Sequence, residues 1–182
     1  IDPMGVHTGD SLCAAPMLTI SKETQQKLQK AAYKIVDSIG VIGGTNVQFA
    51  HHPQTGRFVV IEINPRTSRS SALASKATGF PIASVSTMLA AGLTLDEIPC
   101  GKYGSLDKYS PDGDYVVIKM ARWAFEKFKN AEDKLGTQMK AVGEEMSIGK
   151  TYKEALQKAV RSLENGNYGF GFVKNLHEKS LE

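Results

Sequence analysis

The stretch IEINPRTSRSSALASKATG, residues 61–79, closes an apolar run with a carboxylate, an amide and two guanidiniums. Ile61 and Ile63 have the β-branched character of a buried strand, while Glu62 and Asn64 alternate with them and share the opposite face. The run TNVQFA precedes it, and the turn formers His52-Pro53-Gln54-Thr55-Gly56 lie between, which predicts a β-hairpin with its loop over 52–56. In that register residue 51 opposes 57, and Gln48 falls on the face of Glu62 and Asn64. One carboxylate with two amide oxygens is hard-donor chemistry, suited to Mg²⁺ rather than zinc. Such a set leaves coordination positions for water and for phosphate oxygens, and Arg66 and Arg69 supply cations where phosphoryl oxygens would lie. The strand end therefore reads as a seat for a magnesium nucleotide. The plainer reading is a surface Glu62–Arg66 pair worth under about 1 kcal/mol, with Asn64-Pro65-Arg66 as a simple turn. Spacing alone leaves both open.

Other reactive side chains carry less. His7, in GVHTGDS, suits a ligand-contacting loop or a turn equally well. His51 and His52 fall at a hairpin loop and read as solvated, as do Asp133, Lys134 and the lysines around residue 127. Ser68, Ser70 and Ser71 lack the G-x-S-x-G elbow and neighbouring histidine that a nucleophile needs, so helix capping by Ser70 or Ser71 explains them better.

The elements that must hold these residues follow from periodicity. A first helix runs from an N-cap at Ser21 to Gly40, with Leu28, Ala31, Ala32, Ile35 and Ile39 on one face. After the hairpin, SSALASKATG predicts a short helix ending at Gly79, and FPIASVSTMLAAG a second, with Pro81 near its first position and Gly92 at its close. DYVVIKMAR, 114–122, reads as a strand with Val116, Ile118 and Met120 on one side, and EEMSIG as another. The last helix starts in a capping box of Thr151 and Glu154, buries Leu156, Ala159, Val160 and Leu163, and ends at Gly166. The tail from Asn165 is rich in Gly and Asn and reads as loosely ordered. Mixed strands and helices around a central hairpin predict an α+β fold with a mostly antiparallel sheet flanked by helices.

Composition narrows the class. The 182 residues, 41% of them hydrophobic, suffice for one ordinary domain with a core. A net charge of +3 suits an anionic ligand, but the basic residues are spread rather than striped with aromatics, which argues against nucleic acid. Cys13 and Cys100 form no metal or disulfide framework and point to a reducing compartment. No apolar run approaches the ~20 residues of a membrane span, and IDPMGVHTGDS lacks the order of a signal peptide. A cytoplasmic protein without membrane partners is expected. The opening Ile1 and the closing Leu181-Glu182, which resembles a cloning scar, suggest a piece of a larger protein.

At NVQFA, VIEINPRTSRSSALASKATGFPIA and GVHTGDS the chain resembles the large subunit of carbamoyl phosphate synthetase. The likeness continues through DYVVIKMARWAFEKF and TQMKAVGEEMSIGKTYKEALQKA, covering residue 1 to about 164. Asn-Pro-Arg after a strand glutamate is shared widely among ATP-grasp enzymes, whereas SRSSALASKATGFP is far more specific. The match is to the first, carboxyphosphate-forming half of that subunit, and to the C-terminal part of that half.

The resemblance implies an ATP-grasp C-terminal subdomain over 1–164 and a tail toward the next region over 165–182. It implies an ATP-dependent ligase that uses Mg²⁺ or Mn²⁺ and phosphorylates bicarbonate, with a glutaminase small subunit and the rest of the large subunit as partners. It puts Gly5, Val6 and His7 at the nucleotide, Gln48 and Glu62 at both nucleotide and metal, and Asn64 at a second metal position. Arg66 and, with a looser match, Arg69 would contact the phosphate or the bicarbonate-derived group. The glycine-rich lid and the second half of the enzyme are absent from the chain, so little or no activity is expected of it alone. The alternatives are another ATP-grasp carboxylase of the biotin carboxylase type, or a nucleotide-binding module without catalysis.

Overall fold

Residues 1–109, 111–127 and 129–171 are described by this computed structural model. The expected scar at 181–182, and the tail beyond 171, lie outside the described residues. The chain divides into two units, Ile1–Pro16 with Asp114–Glu182, and Met17–Gly113.

In the first unit, strands β1 (Cys13–Ala15), β6 (Val116–Trp123) and β7 (Ala141–Gly149) form an antiparallel sheet in the order β1-β6-β7. Its register pairs Ala14 with Ile118 and Ile118 with Ser147. Helix α4 (Tyr152–Ser162) lays Ala155, Ala159 and Val160 on Val116, Ile118 and Met120. Strand and helix approach closely at Gly149, where a Cβ would stand 2.7 Å from the Ala155 nitrogen. The Ser147 hydroxyl donates to the Ala155 carbonyl, so the polar atom buried between them is satisfied. The α4 cap is as expected in kind, Glu154 N donating to Thr151 Oγ1 at 3.2 Å, but Glu154 reaches back to Lys150 N at 2.8 Å. The helix ends earlier than the sequence suggests, with Leu163 as its cap, and 165–171 add neither helix nor strand.

Val116, Ile118 and Met120 share one side of β6 as expected, and the strand buries its other side too, at Val117, Lys119 and Ala121. A central strand of a covered sheet buries both faces, which an alternating reading misses. Lys119 tolerates this because its ammonium donates to the carbonyls of Gly9 and Ser11 at 3.3 and 3.1 Å.

The second unit opens with α1 (Lys22–Ile39), capped by the Ser21 hydroxyl, which accepts from Thr24 N, and closed by Gly40 at φ 71°. Leu28, Ala31, Ala32 and Ile35 are half-buried, but no α1 residue is fully buried and Ile39 is exposed. Strands β2 (Asn46–His51) and β3 (Phe58–Asn64) form the expected antiparallel hairpin. Helices α2 (Arg69–Thr78) and α3 (Ile82–Ala90) follow, then a small ribbon of β4 (Pro99–Cys100) with β5 (Gly104–Ser105). Val85, Ile98 and Leu106 make the core of this unit, with Phe80, Met88 and Tyr109 packed around it. The α2 helix starts earlier than expected: Ser68 is its N-cap, and Ser71, three residues on, accepts from Ser68 N at 3.1 Å. Pro81 sits one position before the first residue of α3. Every strand pairing is antiparallel, so the α+β expectation stands.

Candidate functional site

The hairpin loop is longer than the sequence suggests. His51 pairs with Phe58, so residues 52–57 form the turn. That extra residue alone would turn Glu62 away from Gln48. A bulge between Gln48 and Phe49 absorbs it: Phe49 opposes Val60 while Gln48 opposes Glu62, leaving Ile61 as the inserted residue. The two departures offset each other. Gln48 faces Glu62 directly, and Asn46 faces Asn64 on the adjoining step of the same face. The opposite face carries Val47, Phe49, Phe58 and Ile63, with the two phenyl rings edge to face at 5.9 Å.

The four polar side chains sort their atoms by polarity. Gln48 Nε2 donates to Asn46 Oδ1 at 2.9 Å, and Asn64 Nδ2 donates to Glu62 Oε1 at 3.1 Å. Each bond uses one amide N–H inside the cluster and leaves the Gln48 and Asn64 side-chain oxygens outside it. Gln48 Oε1 is buried and has no hydrogen-bond partner. A buried acceptor without a donor costs about 1–3 kcal/mol unless something electropositive meets it. The donor set fits a hard divalent cation that keeps positions open for other oxygens. Among the described residues no three His, Cys, Asp or Glu side chains converge as a ligand set, so this mixed carboxylate–amide cluster stands on its own chemistry. Asn46 was not singled out from the sequence. Its signal was available in the i, i+2 spacing to Gln48 in NVQ, which shares a strand face.

The cluster is held at its base. The Thr45 hydroxyl donates to the Asn64 carbonyl at 3.0 Å, and Arg66 N donates to the same carbonyl at 2.8 Å, turning the chain sharply after β3. Gly44 lets this end approach α3: its N–H donates to Ser86 Oγ at 2.8 Å, and a Cβ there would stand 2.7 Å from that oxygen. Arg66 is exposed, with its guanidinium donating to the Thr67 carbonyl at 3.4 Å. Arg69 is the first residue of α2 and is also exposed. Glu62 itself is exposed, whereas Gln48 and Asn64 are half-buried.

Gly5, Val6 and His7 belong to the first unit. Gly5 has φ 101°, a left-handed conformation that disfavours any side chain. His7 N donates to the Gly136 carbonyl at 2.8 Å, and His7 Nδ1 accepts from Gly9 N at 3.0 Å. His51, expected in the loop and solvated, is instead the half-buried last residue of β2, paired with Phe58 of β3, whereas His52 lies in the turn and its Nδ1 accepts from Thr55 N at 3.4 Å. No helix among the described residues is long and apolar enough to cross a membrane.

Comparison with solved structures gives the class. The fold matches Rhizobium etli pyruvate carboxylase over 87% of this chain and 19% of that one, with a TM-score of 0.61 and 17% identity. It matches the biotin carboxylase subunit of pyruvate carboxylase over 84% of this chain and 37% of that one, at TM-score 0.57 and 17% identity. At such identity the likeness speaks for the fold alone, an α+β fold of the ATP-grasp kind.

Sequence similarity is narrower. The family model for the carbamoyl-phosphate synthase L chain, ATP binding domain, matches residues 1–98, and that for the carbamoyl-phosphate synthetase large chain, oligomerisation domain, matches 144–182. The chain belongs to the carbamoyl-phosphate synthase large-chain family. It is 56% identical to the carbamoyl phosphate synthase large chain, N-terminal section, of Methanopyrus kandleri, covering 94% of this chain and 30% of that protein. It is 57% identical to the large chain of Archaeoglobus fulgidus over its whole length, and to that of Helicobacter pylori over 93% of it. The chain spans 17% and 16% of those two relatives. These identities, set against 17% for the carboxylases, separate it from the biotin carboxylase type.

Proposed function

We propose that this chain supplies the cation- and phosphate-contacting part of the site at which a glutamine-hydrolysing carbamoyl phosphate synthetase phosphorylates bicarbonate to carboxyphosphate. The relative named as an N-terminal section supports the assignment to the first of the two synthetase halves. The observation that carries the reading is the orphaned, buried Gln48 Oε1 on the residue that opposes Glu62 across the hairpin.

In this reading Gln48 and Glu62 hold Mg²⁺ or Mn²⁺ and touch the nucleotide, and Asn64 serves a second metal position. The cation, when bound, offsets charge on the phosphates and orients them for in-line transfer. Glu62 Oε1, fixed by Asn64, presents the carboxylate in one orientation rather than several, which lowers the cost of ordering it on binding. Arg66 and Arg69 stabilise negative charge on the transferred group or on bicarbonate. Gly5 and Val6 bring backbone close to the nucleotide, and His7 contacts it through Nε2. Exclusion of water protects carboxyphosphate from hydrolysis. The glutaminase subunit and the remainder of the large subunit complete the enzyme, the 144–182 match fits assembly with other copies, and the two free cysteines suit a cytoplasmic setting. The chain alone has little or no activity.

The test is bicarbonate-dependent ATP hydrolysis in Mg²⁺, by the chain alone and by the Archaeoglobus fulgidus large chain carrying this chain in place of its own segment. Negligible turnover alone, with activity in the chimera that falls roughly 10²-fold on Glu62→Ala, is the expected result. Chimera turnover that is indifferent to bicarbonate or to Glu62→Ala overturns the reading.

A further inference from the structure

We propose that Asp10 is the positioning residue for His7, holding its ring so that Nε2 is left as a hydrogen-bond donor; this rests on the reading of His7 as a nucleotide contact. Asp10 is fully buried, at 0% exposure, and ranks with Ile98 and Ile118 among the largest side chains so enclosed. A buried carboxylate is expensive to desolvate unless it is hydrogen-bonded, so its presence calls for a return. Both its oxygens accept from Lys140 N, at 3.0 and 2.9 Å, and Oδ1 also accepts from Ala141 N at 2.6 Å. These bonds tie the 3-10 turn Thr8–Asp10 to the first residue of β7, across some 130 residues of sequence.

The turn is clamped from other sides as well. His7 N donates to the Gly136 carbonyl, and Lys119 donates to the carbonyls flanking Asp10 in sequence, those of Gly9 and Ser11. Gly9 brings the turn close to the Met139 and His7 side chains. A Cβ there would stand 2.7 Å from Met139 Sδ and 3.1 Å from His7 Nδ1. With the turn so fixed, Gly9 N donates to His7 Nδ1 at 3.0 Å. A nitrogen that accepts carries the lone pair, so the ring proton of the neutral imidazole sits on Nε2. That nitrogen suits an acceptor such as a ribose or phosphate oxygen. Without the Asp10 anchor the turn loses its tie to β7, and His7 loses its fixed partner.

The test uses ¹⁵N-labelled chain above the ordinary histidine titration range, reading the His7 ring nitrogens and the exchange rate of the Gly9 amide. Asp10→Asn puts an amide NH₂ against backbone N–H donors, and Ala141→Pro removes the 2.6 Å donor while leaving the carboxylate. Pro is tolerated at the first residue of a strand, so the second variant guards against misfolding of the first. The methyl signals of Val116, Ile118 and Ala159 report whether the core is intact. The expected result is Gly9 exchange about tenfold faster or more in both variants, with the His7 Nδ1 signal moved, while the core signals stay. An unchanged His7 and Gly9 in either variant, with the core in place, overturns the proposal. Addition of Mg-ATP separates the two readings. A wild-type Nε2 indifferent to Mg-ATP, with the Asp10→Asn effect intact, leaves the positioning role standing and removes the nucleotide role of His7.

Discussion

The two units invest their residues differently. The β1-β6-β7 sheet buries both faces of its central strand and closes against α4 with alanines that admit near contact. The β2–β3 hairpin buries almost nothing completely: Val59, Val60 and Ile61 are exposed, and its polar face holds a buried acceptor with no donor. In the first unit Lys119, Asp10 and Ser147 have their partners, while Trp123 Nε1 on β6 is buried without one. In the hairpin the unpartnered atom is an oxygen, Gln48 Oε1. A buried acceptor without a donor is the kind of group the proposed cation would meet, whereas a buried N–H is not.

The sharpest way to break this comparison is at its most buried side chain. Ile118→Ala, at a residue with 0% exposure, should cost about 3 kcal/mol. Hydrogen exchange should rise most at the amides of β6 and β7. An equal rise across β2 and β3 would show that the hairpin draws its stability from the same core.

Next in size is Gly44→Ala, which puts a methyl 2.7 Å from Ser86 Oγ and about 3.0 Å from Thr67 Cγ2. We expect a cost of about 1–2 kcal/mol by urea titration, with the disturbance centred on β2 and α3. Full tolerance would mean that the hairpin base shifts freely.

Glu62→Gln should do the reverse of a core mutation. It is exposed, so stability should change by less than about 0.5 kcal/mol. Mn²⁺ affinity, followed by water-proton relaxation, should fall by about tenfold, a loss of about 1.4 kcal/mol. Unchanged affinity would place the cation elsewhere.

The smallest effect concerns pH. The Lys158 hydrogen bond, with the Lys150 backbone N–H and the Lys158 charge adding to it, holds the Glu154 carboxyl below its ordinary value. The stabilisation from such a depressed group is present above the unfolded carboxylate range and is lost as pH falls through the folded value. Acidification below about pH 4 should therefore loosen the start of α4, and Glu154→Gln should flatten that dependence in a series of melts.

Local signals were legible in the sequence because they act locally. Ser21, Gly40 and Thr151 sit where caps belong, and the structure uses them so. Signals that depend on distant partners were not. Cys13–Ala15 is a strand only because β6 lies beside it, and nothing in CAA itself demands one. Lys119 and Ala121 look like an outward face until the sheet gains cover on both sides. Asp10 in GDS reads as a turn residue, since the amides it binds come from residues 140 and 141. Within the hairpin, a shared face for Gln48 and Glu62 was anticipated on a loop one residue too short; the Ile61 bulge restored the phase that the loop had changed and set the two directly opposite. Asn46 escaped notice because its part is to accept from Gln48, and its neighbour's chemistry is the more conspicuous.

Strand β3 reads FVVIEIN, and the outer edges of both hairpin strands have no hydrogen-bonded neighbour among the described residues. A β-branched segment with free edges is a template on which further copies can stack, although the bulge at Ile61 breaks its regularity. Glu62 carries the sole charge in that segment, so it also acts as a gatekeeper whose repulsion opposes such stacking. Neutralising it to test the proposed cation site also removes that charge. Solubility is therefore tied to the carboxylate proposed for the chemistry, and the Glu62 variants call for dilute handling.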